Sequence, residues 1–338
     1  IKVSLILCSF SSVLITIGTY SYLYVSQESY RHYAYMAIWI FPLLCIAGLI
    51  NILNAYNNRY GEYKLISGAY LIRTIFQNVL TVTIGYIRAN AFILLLSQFV
   101  GQLFGIKRQS KRLTEELRSI LSTPQRDILY VLKKHKKQPL YSVPASFTNA
   151  LSYSIISLMV GNYFMLETLA LYSISVRILG LPLSIFSTNI SKVHFKEANK
   201  EIALTGTYKK STINMFIFSG ILAIGMVLVL LLFAPDLFAM VYGESWRKSG
   251  IYVRILAPMF ALRMMVGSLG YGFIIANKQN TEFIFQLLLL IGAIAMVVLC
   301  RVAMWEIDML LLALSICYSF IYSIELIAII YYSRRNYI

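Results

Sequence analysis

Apolar residues run through this sequence in long, nearly unbroken stretches. They show neither the alternation of a half-buried strand nor the single stripe of a soluble amphipathic helix. A helix rising 1.5 Å per residue needs roughly 20 mostly apolar residues to cross a bilayer. Ten stretches meet or approach that length: 3–25, 33–55, 67–86, 90–106, 141–163, 167–191, 213–234, 250–276, 282–304 and 308–332, with 90–106 the shortest. Pro42, Pro144, Pro182 and Pro258 fall inside these segments, where buried neighbours can satisfy the carbonyl groups that proline frees. The expected fold is all-α, a polytopic transmembrane helical bundle of about ten spans.

One connection is long. Residues 107–140 contain ten of the 30 Lys and Arg residues. Leu113, Leu117, Ile120 and Leu121 recur there at helical spacing with charges between them, and Thr123 and Pro124 form an N-cap and first-turn pair for a second helix carrying Ile128, Leu129, Val131 and Leu132. The segment is expected to be either an amphipathic bridge on the inner leaflet joining two lobes or a solvated loop that only enforces topology. The resulting division is 1–106 as a lobe of four spans, 107–140 as the bridge and 141–338 as a lobe of six. The first four spans share their loop pattern with the last four, including the polar inner turns NNRYGEYK and NKQNTE. If the halves are repeats, the first lacks two helices at its start.

Composition and charge sharpen this picture. With 59% hydrophobic and 13% charged residues and a mean hydropathy of +0.70, the chain carries about half the usual charge of a soluble protein. A net charge of +16 would suit nucleic acid, but the basic residues lie in short segments between apolar runs, where they orient spans instead. Ten spans put 21 Lys and Arg on the side holding both termini and five on the other, with four inside the spans. That bias makes the first side cytoplasmic. Cys8, Cys45, Cys300 and Cys317 lie in apolar runs without paired spacing, and His32, His135 and His194 lie in or near connections. Buried thiols and solvated loop histidines are expected, with no disulfide framework, metal or cofactor. Residues 1–25 have no basic leader or small-residue cleavage site, so no signal peptide is expected; the start at Ile1 suggests that upstream sequence is missing.

Several stretches resemble a known family. They are QPLYSVPASFTNALS, LALYSISVRILGLPLSIFSTNISKVHFKEANKE and FAPDLFAMVYGESWRKSGIYVRILAPMFALR, with FPLLCIAGLINILNAYNNRYGEYKLISGAYLIRTIFQN before the basic stretch. The chain is similar there to Wzx-type O-antigen and polysaccharide flippases of the multidrug/oligosaccharidyl-lipid/polysaccharide superfamily, without their first two helices. The resemblance implies two lobes facing a central cavity, both termini cytoplasmic, and residence in the bacterial inner membrane. It also implies alternating-access translocation of a polyprenyl-pyrophosphate-linked oligosaccharide, an O-antigen or capsule repeat unit. The partners expected are that lipid-linked oligosaccharide, membrane lipids and polysaccharide assembly proteins, with no nucleic acid.

Charges inside a bilayer cost at least about 2.5–3.5 kcal/mol each, so each needs a reason. Arg254 lies roughly 6 Å in and can snorkel to the outer interface. Arg73 lies roughly 9 Å in, where it either snorkels or joins the deeper arginines. Glu325 is roughly 10 Å from the inner side; too short to snorkel, it must be protonated, paired or facing water, as an ion-coupling site or a structural partner. Arg177 and Arg263 lie roughly 15–20 Å deep, and no acid is expected at that depth. Their expected partner is an anion that comes and goes, since a guanidinium fork suits pyrophosphate; backbone carbonyls and water are the alternative. Arg177, Arg263 and Arg73 are thus the candidates for an anionic headgroup. Asn149, Asn162, Asn189, Gln77, Asn78 and Gln98 would face sugar hydroxyls or bond between helices.

No GxxxxGKS/T motif is present, so ATP hydrolysis is not expected, and the chain is read as a transporter rather than an enzyme. A cation-coupled exporter of the same superfamily is the first rival. The expected buried balance of four arginines to one glutamate argues against it. A membrane glycan polymerase or ligase ranks last, because the longest outer connection expected, 235–250, is short.

Overall fold

The structure is a computed structural model, and it describes residues 1–25, 34–87, 91–116 and 122–337. His32, Leu117, Ile120 and Leu121, named above, lie outside the described residues, as do Arg31 and Arg88, two of the five basic residues counted on the outer side. The chain divides into two compact units, Ile1–His135 and Lys136–Ile338. Among the described residues both are built from helices, and nine helices are long and apolar enough to span a membrane. This is a multi-pass membrane protein.

In the first unit α1 (Lys2–Val25) packs beside α2 (Ile40–Arg59), which a single 3₁₀ stretch precedes. Next comes α3 (Tyr63–Ile87), paired with α4 (Ala91–Leu103). The fourth expected span, 90–106, is this α4, a helix of 13 residues. At 1.5 Å per residue it falls short of the roughly 30 Å hydrocarbon core. Gly105, at φ +85°, breaks the helix direction, which glycine alone does cheaply. The chain then enters α5 (Ile106–Glu115) and, further on, α6 (Gln125–Lys134). Leu113 of α5 is buried against Leu53 and Tyr56 of α2, so the basic stretch has one face committed to the helices beside it.

The second unit comprises α7 (Val143–Tyr163), α8 (Leu166–Pro182), α9 (Thr188–Thr205), α10 (Lys209–Tyr242), α11 (Arg247–Ser268), the single turn α12 (Gly272–Ile275), α13 (Gln279–Val302) and α14 (Ile307–Ser333). The sequence-based spans stop too early here. Helix continues from α8 through a π-helical turn at Leu183–Ser187 into α9 and ends only where Gly206 adopts a left-handed conformation. Apolar length predicts where lipid ends, whereas the cap decides where helix ends. His194, expected in a solvated connection, is therefore on a helix, fully buried and 3.1 Å from the Thr212 hydroxyl. The prolines differ among themselves as well. Pro144 stands in the first turn of α7, just after a π-helical turn at Gln138–Ser142, whereas Pro182 immediately precedes the one at Leu183–Ser187. The expected outer loop 235–250 is largely helix, since α10 runs to Tyr242 and only a short turn separates it from α11.

Helix α11 is the hub of this unit. It is buried along most of its length against α10, α8 and α14. Gly250 sets its approach to α10: a Cβ there would lie 2.6 Å from both the Ala234 carbonyl oxygen and the Pro235 nitrogen. Backbone cannot step aside as a flexible side chain can. Gly250→Ala is expected to cost about 1–3 kcal/mol through overpacking, read as a lower unfolding midpoint in detergent. Gly225→Ala, where nothing among the described residues lies within 4 Å of the new carbon, is expected to leave the midpoint unchanged.

Candidate functional site

Three pairs of polar residues at helical spacing meet inside the second unit. Asn149 and Tyr153 share one face of α7, Glu282 and Gln286 one face of α13, and Tyr322 and Glu325 one face of α14. Asn149 Nδ2 donates to Gln286 Oε1 at 2.7 Å, and Gln286 Nε2 donates to Glu325 Oε1 at 3.3 Å. Beside this chain the hydroxyls of Tyr153 and Tyr322 stand 2.7 Å apart. Arg263, from α11, lays its guanidinium over the Tyr153 ring, 3.9 Å from the centroid, and 5.5 Å from that of Phe260. A desolvated contact of this kind is worth about 2 kcal/mol or more, so the aromatic floor holds the cation in place without neutralising it.

Asn149, Arg263, Glu282, Gln286, Tyr322 and Glu325 line a cavity of about 280 Å³. That is just under the usual range for a drug-sized ligand, about 300–1,000 Å³. It admits an ion, water or a compact charged group, but no oligosaccharide. Glu325 is 2% exposed, and its Oε2, like Glu282 Oε2, has no hydrogen-bond partner among the described residues. No ion pair within 4 Å joins Arg263 to either carboxylate among the described residues. One guanidinium and two carboxylates thus share a small space with unspent hydrogen-bonding capacity.

The expectation that no acid accompanies Arg263 is corrected here. Both glutamates line its cavity, and Glu282, taken from sequence as the edge of a span, was missed. Its i,i+4 spacing to Gln286, matched by Asn149 and Tyr153, was the available signal. Of the other candidates, Arg177 on α8 is exposed and does not line this cavity. Arg73 belongs to the first unit, where it is buried and donates to Gln109 Oε1 at 3.1 Å. Arg254 donates to the Leu232 carbonyl at 3.4 Å. Asn189 bonds the carbonyl of Ile185 on its own helix.

Comparison with known proteins places this geometry in context. Residues 3–250 match a family model described as "Polysaccharide biosynthesis protein". No curated protein matches the chain. Among solved structures the chain is similar to a MOP superfamily transporter from Pyrococcus furiosus, described as having a binding pocket of reverse polarity that suggests a different function. The identity is 14%, the TM-score 0.66, and the match covers 99% of this chain and 80% of that one. It is likewise similar to the crystal structure of a MATE mutant, at 13% identity and TM-score 0.65, covering 98% of this chain and 76% of that one. At such identities the likeness is one of fold.

Proposed function

The chain belongs to the polysaccharide biosynthesis protein family, and from that premise we propose that it translocates a polyprenyl-pyrophosphate-linked oligosaccharide across the bacterial cytoplasmic membrane by alternating access. The observation that carries the reading is Arg263, a cation held on Tyr153 in a membrane-buried cavity with no ion pair among the described residues. Its planar fork of donors suits a phosphate or pyrophosphate oxygen pair. Arg177 and Arg73 are proposed as further contacts to the anionic headgroup, each to be tested singly. Both termini are proposed to be cytoplasmic, from the charge bias.

The glutamates supply the coupling. An anion beside two carboxylates is repelled unless a proton or a cation accompanies it, so headgroup and coupling ion bind with mutual dependence. Glu325, with Glu282, is proposed as the place where that ion sits. The transport is proposed to be non-enzymatic, driven by an ion gradient or by consumption of the product outside.

The same two carboxylates favour a second reading, export of a cationic small molecule. One experiment separates the two. The chain is reconstituted in liposomes with either a fluorescent polyprenyl-pyrophosphate glycan or a cationic dye. Transbilayer movement of the glycan is read by its accessibility to an impermeant lectin. Lectin access that depends on the protein, without dye efflux, is expected; dye efflux without glycan movement would replace the first reading by the second.

A further inference from the structure

The first unit holds a larger cleft, of about 1170 Å³, that the transport reading does not use. It lies where α5 crosses the turn between α2 and α3, and four cations of α5 line it: Lys107, Arg108, Lys111 and Arg112. All four side chains are exposed, because the opposite face of α5 is committed through Leu113 and Gln109. Arg112 is engaged, 3.6 Å over the Tyr60 ring and 3.9 Å from Glu62. The other three make no ion pair within 4 Å among the described residues.

Two further features belong to the same cleft. Helix α5 opens at Gly105 with no side chain capping its first amides among the described residues, a ready place for an anionic oxygen. Asn57, 1% exposed, also lines the cleft; its Nδ2 donates to the Gln109 carbonyl at 3.1 Å, while its Oδ1 has no partner among the described residues. An unspent amide oxygen there asks for a hydroxyl or amine donor. Leu65 and Ile72 supply an apolar wall on α3. Cations, a free helix start, an acceptor for a hydroxyl and an adjoining apolar surface match one ligand chemistry.

We propose that this cleft binds the phosphate headgroup of an anionic phospholipid, with its hydroxyl on Asn57 and its phosphate among Lys107, Arg108, Lys111 and the first amides of α5. The lipid would hold α5 against the bilayer surface, independently of the transported substrate. Free phosphate or pyrophosphate shares the phosphate chemistry but lacks the apolar portion that Leu65 and Ile72 would meet.

The full chain in nanodiscs of mixed phosphatidylglycerol and phosphatidylcholine, analysed by native mass spectrometry, tests this. Both leaflets are accessible in a nanodisc, so the outcome does not depend on which face is cytoplasmic. At about a fivefold weight per cation near a membrane surface, discounted for exposure, the wild type is expected to retain phosphatidylglycerol with at least about tenfold preference. Lys107→Gln with Arg108→Gln and Lys111→Gln is expected to abolish that preference. Lys133→Gln with Lys134→Gln and Lys136→Gln, equal in charge but outside the cleft, is expected to retain it. Equal loss in both triple variants would mean unspecific attraction and overturn the site. Displacement of the lipid by equimolar soluble pyrophosphate would overturn the lipid assignment. Should the cleft variant fold poorly by its melting curve, the single change Lys111→Glu, on the exposed face, is expected to weaken the preference about fivefold; an unchanged preference there overturns the proposal.

Discussion

Arg263→Ala is expected to abolish surface polysaccharide in cells that depend on this protein, with protein abundance in the membrane unchanged. Two charge-assisted hydrogen bonds to a pyrophosphate, at about 1.5–3 kcal/mol each, correspond to a rate loss of at least about a hundredfold. Arg263→Lys keeps the charge but loses the fork and its stacking on Tyr153, so an intermediate loss is expected. The alanine variant also forfeits the contact with Tyr153, so its melting temperature in detergent must be measured beside the export assay. Normal polysaccharide with Arg263→Ala would remove the cavity from the transport path. Arg177→Ala, at a side chain that stands outside this cavity, is the companion measurement. Normal export in both variants would sink the assignment of Arg263 and Arg177 to the headgroup and leave Arg73 to its own test.

Glu325→Gln is expected to uncouple transport from its ion gradient without collapsing the site. The glutamine can still accept the Gln286 hydrogen bond that Glu325 Oε1 now accepts, so the chain from Asn149 onward survives while the ionisable group is gone. Translocation in liposomes should then proceed at the same rate with and without an imposed gradient of protons or sodium. Gradient dependence equal to the wild type would make Glu325 a structural partner and leave coupling to Glu282, tested by Glu282→Gln. Glu325→Ala is a different experiment. It strands Gln286 with an unmade bond in a buried site, at a cost of about 1–3 kcal/mol, and should lower the melting temperature whatever the role in coupling.

The site was only partly legible beforehand. Arg263 and Glu325 stood out because a charge in a long apolar run is anomalous by itself. Glu282 did not, because it sits near the start of α13 and looked like the end of a polar turn. Tyr153 and Tyr322 disappeared among 25 tyrosines. His194 was misjudged for a related reason: helix continued past the expected edge of lipid and turned a loop residue into a buried one.

Local chemistry alone determined that this chain crosses a membrane repeatedly and, within a few residues, where most of its helices run. Transfer from water to lipid depends on the residues of one segment, and a run of apolar side chains carries that information without reference to its neighbours. Which polar groups meet is a different kind of quantity. The residues that bring Arg263, Glu282, Gln286 and Glu325 to one cavity lie on three helices, and their encounter depends on how each helix is rotated about its axis. Rotation is set by packing, by contacts such as that of Gly250 with the backbone at Ala234 and Pro235, and only the folded unit decides it.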